Sequence, residues 1–196
     1  MPAPTTQSRR LLTLFATLAA AGAVHAVPIT FTFEAVGGGS LGTQGFADTA
    51  FTIVTTADTD DIVVGPNGRR VANATAWITL ASGPTAQFTG DIYTVVNSTL
   101  SSVGVSDFAV NRAILFLSHP DAGAYDLASS TGPLTGTAFA FNTGFQHGTT
   151  LGPLVLNEIS AASFTAAVVP EPASAALLLA GGAALLGWRR RVAAAA

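Results

Sequence analysis

Asp58, Asp60 and Asp61, in the run Thr-Ala-Asp-Thr-Asp-Asp, are the densest set of metal-ligating groups in this sequence. Hard oxygen donors alternating along a loop suit calcium. The glutamate and ligand order of an EF-hand are missing, so a calcium site competes here with a plain solvated acidic loop ahead of the turn Gly65-Pro66-Asn67-Gly68. Asp121 and Asp126, around Gly123, form a sparser version for which the solvated loop is the better reading. A second chemistry is ring stacking: Trp77 and Tyr93 could line a sugar-binding face, since flat aromatic rings stack on pyranose surfaces. Trp77 alternates with the apolar Ile78, which leaves it either exposed or serving as the core tryptophan.

Catalytic constellations are harder to find. His25, His119 and His147 are isolated from one another and lack zinc-ligand spacing, and the chain has no cysteine. Ser118 beside His119 has no nucleophile-elbow context. Glu34, Asp48, Asp91 and Glu158 could pair only if the fold set two of them across a groove, as glycoside hydrolysis requires, and no spacing selects a pair. The expectation is a protein that is not an enzyme and needs no cofactor, calcium excepted.

The elements that must hold these residues lie between two arginine-flanked apolar ends. Residues 27–168 contain three arginines, Arg69, Arg70 and Arg112, no lysine and ten acidic residues. Their formal net charge is thus −7, against −3 for the whole chain of 196 residues. Such a surface argues against nucleic acid as a partner. Without cysteine, stability must come from core packing and a hydrogen-bonded sheet. Ile29, Phe31 and Phe33 alternate with Thr30, Thr32 and Glu34, a period of two. Similar alternation runs through residues 51–53, 73–80, 92–96, 134–141 and 159–168, while 108–117 is apolar on both faces apart from Asn111 and Arg112 and predicts a central strand. Glycine and proline punctuate these runs, at 37–39 and 65–68 among other places. The pattern predicts an all-β fold: a single β-sandwich, jelly-roll-like or Greek-key.

At the N-terminus, Arg9 and Arg10 precede an apolar stretch from Leu11 to about Val24, followed by Val24-His25-Ala26. That is the layout of a secretory signal peptide over residues 1–26, removed by signal peptidase. At the other end Val169-Pro170-Glu171-Pro172 leads into an apolar run at 173–188 and then Arg189, Arg190 and Arg191. As a helix the run would span only about 24 Å. That is short of the roughly 30 Å bilayer core and suits transient insertion, with the arginines as the cytoplasmic stop. Residues 169–196 are therefore expected to hold a transmembrane sorting helix that anchors the chain briefly in the inner membrane.

Pro170-Glu171-Pro172, the alanine- and leucine-rich run and the arginine cluster, in that order, resemble the PEP-CTERM sorting signal of Gram-negative bacteria. The resemblance implies recognition and processing by an exosortase, in organisms that produce exopolysaccharide and form biofilm or floc. The expected protein is a non-enzymatic envelope or extracellular-matrix component built on a domain at 27–168, with exopolysaccharide or matrix proteins as partners. The alternative is a carbohydrate-binding-module-like domain, calcium-assisted through Asp58, Asp60 and Asp61 or using Trp77 and Tyr93.

Overall fold

Alternation of apolar and hydroxyl-bearing side chains sets the first strand and, by repetition, the whole architecture. In the computed structural model, which describes residues 27–139 and 144–169, β1 (Pro28–Leu41) buries Ile29, Phe31, Phe33 and Ala35 and turns Thr30, Thr32 and Glu34 outward. It doubles back into β2 (Gln44–Asp58), which buries Phe51, Ile53, Thr55 and Ala57 in the same way. A short hairpin joins β3 (Val63–Gly65) to β4 (Gly68–Leu80), on which β5 (Thr85–Gln87) folds back. Then come β6 (Ile92–Asn97), β7 (Ser102–Asp107), β8 (Arg112–Ser118), β9 (Thr131–Phe139), β10 (Gln146–His147) and β11 (Leu154–Val168). Helical structure among the described residues is limited to two 3₁₀ turns, Thr59–Asp61 and Ala122–Ala124.

Eight strands, β1, β2, β4, β6, β7, β8, β9 and β11, pair in that order, and β11 pairs back with β1. Every pairing is antiparallel. The sheet is a closed barrel, which leaves the ring without an exposed edge to template association with another chain. The all-β expectation holds. The organisation differs from a jelly roll or Greek key, because each ring strand is followed around the ring by the next ring strand in the chain. Two long strands make the corners. β4 pairs with β6 through residues 68–72 and with β2 through 73–80, and β9 divides in the same way between β11 and β8.

Two local expectations are corrected. Residues 37–39 are not a turn but part of β1, where two register shifts bend the strand against β11. A Cβ on Gly37 would overlap the carbonyl oxygen of Glu158, so the close approach requires glycine. Residues 108–117 are not one strand either. The segment 108–111 is a turn between β7 and β8, held by Ala109 N donating to Asp107 Oδ1 and Asn111 N donating to Phe108 O. Asn111 takes φ 52°, a conformation its short polar side chain tolerates. The turn leaves Phe108 and Val110 exposed.

The barrel interior is a packed apolar core. Phe164 of β11 is fully buried at its centre, 4.8 Å from the Phe33 ring, 5.6 Å from Tyr125 and 6.2 Å from Phe31. Apolar residues inside and threonines outside reverse the pattern of a lipid-facing outer-membrane barrel. One polar chain crosses the interior. Thr94 Oγ1 on β6 donates to Asn73 Oδ1 on β4, so its own oxygen must accept from Thr55 Oγ1 on β2, 3.1 Å away. Thr94→Val removes the middle of this chain and strands the buried Thr55 hydroxyl and the part-buried Asn73 amide, which should cost about 1–3 kcal/mol. Thr55→Val leaves the Thr94–Asn73 bond in place and should cost less. Urea unfolding of the two variants tests that order.

Candidate functional site

The structure separates the two aromatic candidates. Trp77 lies on the outer face of β4, 40 % exposed, where the strand pairs with Val54 of β2 and Gln87 of β5. Tyr93 of β6 pairs with Ala72, five residues back along β4. That puts about 16 Å of strand between them, so they do not share one stacking face. Tyr93 instead packs against the exposed Phe108 with ring centroids 4.3 Å apart. Phe108 lines two depressions on the outer face of β4, β6, β7 and β8, of about 420 Å³ and 260 Å³.

The acidic run is put to structural use. Asp58 ends β2 and caps the first 3₁₀ turn, its Oδ1 accepting from Asp60 N at 2.9 Å, while Asp60 and Asp61 are exposed in that turn. Among the described residues no three His, Cys, Asp or Glu side chains converge on a point that could hold a metal. Asp126 is likewise a capping group. Burial opposes its ionisation, but hydrogen bonds from Ala128 N, Ser129 Oγ and Ser129 N outweigh it and hold its carboxyl below the usual range. Burial first, and then the Asp126 charge, push the neighbouring Tyr125 phenol up. It donates to Ser129 O at 2.7 Å.

Neither histidine meets the acids that lie near it in sequence in a catalytic arrangement. His119 Nδ1 accepts from Asp121 N at 3.2 Å at an exposed corner. His147 lies 3.4 Å from Asp107 Oδ2, and both side chains are 3 % exposed. No local signal could have found this pair, since the partners are 40 residues apart and meet only when the ring closes. It clamps the segment around β10 to the end of β7, beside Thr89 N donating to Gly148 O. Burial holds the His147 imidazole below its ordinary value, with Asp107 opposing that shift.

The described barrel ends where a different kind of signal begins. β11 closes on β1 at the Ile29–Val168 pair, and Val169 N still donates to Pro28 O at 2.8 Å. Residues 168–191 match the PEP-CTERM protein-sorting motif. This chain carries a PEP-CTERM sorting signal. It is an exported protein destined for exosortase-mediated sorting. Comparisons with curated proteins and with solved structures gave no match.

Pro170, Glu171, Pro172, Arg189, Arg190 and Arg191 of this PEP-CTERM signal lie outside the described residues, as do the expected leader at 1–26 and the expected apolar span at 173–188. The transmembrane-helix expectation is withdrawn. No helix among the described residues is long and apolar enough to cross a membrane.

Two outcomes follow for this PEP-CTERM protein. Because the folded state holds His147 neutral more strongly than the unfolded state does, unfolding takes up a proton at low pH. Stability should be complete above about pH 6.5, the ordinary histidine value, and should fall as pH drops below it. His147→Gln should flatten that limb in thermal melts across pH. Asp58→Ala should cost roughly 1 kcal/mol as a lost cap, equally with and without millimolar calcium in urea titrations.

Proposed function

We propose that this protein is a non-enzymatic component of the envelope or extracellular matrix of a Gram-negative bacterium. It is delivered by exosortase and associates there with exopolysaccharide, or with matrix proteins, in biofilm or floc. The observation that carries this reading is the junction between barrel and signal. The motif begins on Val168, the last residue of the closing strand, and among the described residues Val169 is the last one bonded to the barrel. Cleavage at Pro170, Glu171 or Pro172 leaves every ring pairing in place. In this reading residues 1–26 are removed by signal peptidase and 27–168 form the delivered body. Residues 169–196 are the sorting segment, which contains the cluster Arg189, Arg190 and Arg191.

Placement of the acids supports a non-enzymatic role. The depression of about 490 Å³ over β2, β1, β11 and β9 is lined by a single carboxylate, Glu34, which accepts from Ser163 Oγ at 3.1 Å. General-acid glycan chemistry needs a second carboxylate across such a groove. The buried His147–Asp107 pair is shut away from any substrate.

A carbohydrate-binding-module-like role is the sharper form of the same reading, favoured by the ring-lined depressions beside Phe108. Mass determination of the protein recovered from its producer should give an N-terminus near Val27 and a C-terminus at the Pro-Glu-Pro junction. The recovered material should co-sediment with the producer's exopolysaccharide. Recovery of the uncut chain from the cytoplasm would overturn the delivery, and failure to co-sediment would overturn the association.

A further inference from the structure

The three arginines of residues 27–168 are not scattered. Arg69 and Arg70 line the larger depression beside Phe108, and Arg112 lines the smaller one. The two depressions adjoin at Val95 and Phe108, which line both, on the outer side of the β3–β4 hairpin, β6, β7 and β8. In a body with ten acidic residues, no carboxylate lines either one. Among the described residues none of the three arginines forms a salt bridge, since the ion pairs there are the two histidine–aspartate contacts.

Folding brings this about through identifiable contacts. Arg69 points to the barrel end and donates to Tyr125 O at 3.1 Å, so it is committed to the structure. The other two lie over rings. The Arg70 guanidinium carbon lies 5.3 Å from the Phe108 centroid, and that of Arg112 lies 4.4 Å from Phe145. A guanidinium stacked in this way keeps its in-plane donors for a carboxylate or similar anion. Arg112 Nε is buried without a hydrogen-bond partner, while its Nη1 reaches only the carbonyl of Asn111 at 3.5 Å. Phe108, 38 % exposed, packs against Tyr93 and carries the Arg70 guanidinium.

Two cations in adjoining depressions, with a part-exposed ring lining both, suit a ligand with spaced anions and apolar faces. A polymer carrying a charge on every unit is repelled by the net −7 of the surrounding body. We infer that the groove formed by Arg70, Phe108 and Arg112 binds an acidic polysaccharide segment in which uronate residues alternate with neutral sugars. Arg70 and Arg112 take the carboxylates, and Phe108 takes a pyranose face. This inference rests on the exopolysaccharide reading above and adds the ligand class and the residues.

The test is calorimetric titration of the full chain in neutral detergent with a hyaluronan hexasaccharide, which carries alternating glucuronates. Chitohexaose serves as the uncharged match and a short single-stranded DNA as the polyanion control. Binding should be confined to hyaluronan and weaken with salt. Arg70→Gln and Arg112→Gln should each lower affinity about tenfold, the scale of one charge-assisted hydrogen bond. Phe108→Ala should weaken binding, Trp77→Ala should leave it unchanged, and all variants should keep the wild-type melting curve. No binding of hyaluronan, equal binding of chitohexaose, tighter binding of DNA, or unchanged affinity in both arginine variants would each overturn the inference. Co-sedimentation with the producer's own polymer is a separate measurement, so the general association can survive when this groove fails.

Discussion

The pairing of the first strand with the last is the constraint on which the rest depends. β1 and β11 run together from Ile29–Val168 to Leu41–Leu154. Without that pairing both strands would be open edges and Phe164 would lose the rings of Phe31 and Phe33 on its neighbour. The pairing joins residues from opposite ends of the body, so its loop-closure entropy is recovered only when the other seven ring pairings are made. Closure also sets the two ends of the described chain side by side. Val169 N bonds to Pro28 O at one rim of the barrel. Every ring pairing lies within residues 28–168.

Filling the interior with phenylalanine, isoleucine and leucine leaves the chemistry to the outer face and the rims. There the two sides of the ring differ. The face over β1, β2 and the 73–80 half of β4 carries many threonines, and pairs of them bond across strands there, Thr56 of β2 with Thr75 of β4 and Thr79 of β4 with Thr85 of β5. The face over β4, β6, β7 and β8 collects the cations of an acidic body and the exposed rings. This segregation follows from β4, whose corner turns Arg70 outward in one half and Trp77 outward in the other.

Much of this was legible in the chain, for physical reasons that differ by element. β1 reads directly, because Ile29, Phe31 and Phe33 alternate with polar residues and one buried face demands that register. The sorting signal reads directly because its three parts are contiguous, and a receptor recognises them as linear sequence. The run at 108–117 misled because hydrophobicity does not distinguish a buried strand from an exposed turn. Asp107 and Asn111 supply the turn there, and Phe108 is apolar because it packs on Tyr93 at the surface. Glycines 37–39 misled for the opposite reason, since glycine serves a bulged strand pressed against its neighbour as well as it serves a turn.

By itself the sequence determined the address, the all-β class, the acid-rich and cysteine-free body, and which strand faces point inward. These depend on composition, on contiguous signals or on a period of two residues. Tertiary structure alone decided closure into a ring, the meeting of His147 with Asp107, the parting of Trp77 from Tyr93 and the gathering of Arg70, Phe108 and Arg112 around two adjoining depressions. Each of those joins or divides residues far apart in the chain, and their distances are set by strand order and register around the barrel, which no local pattern encodes.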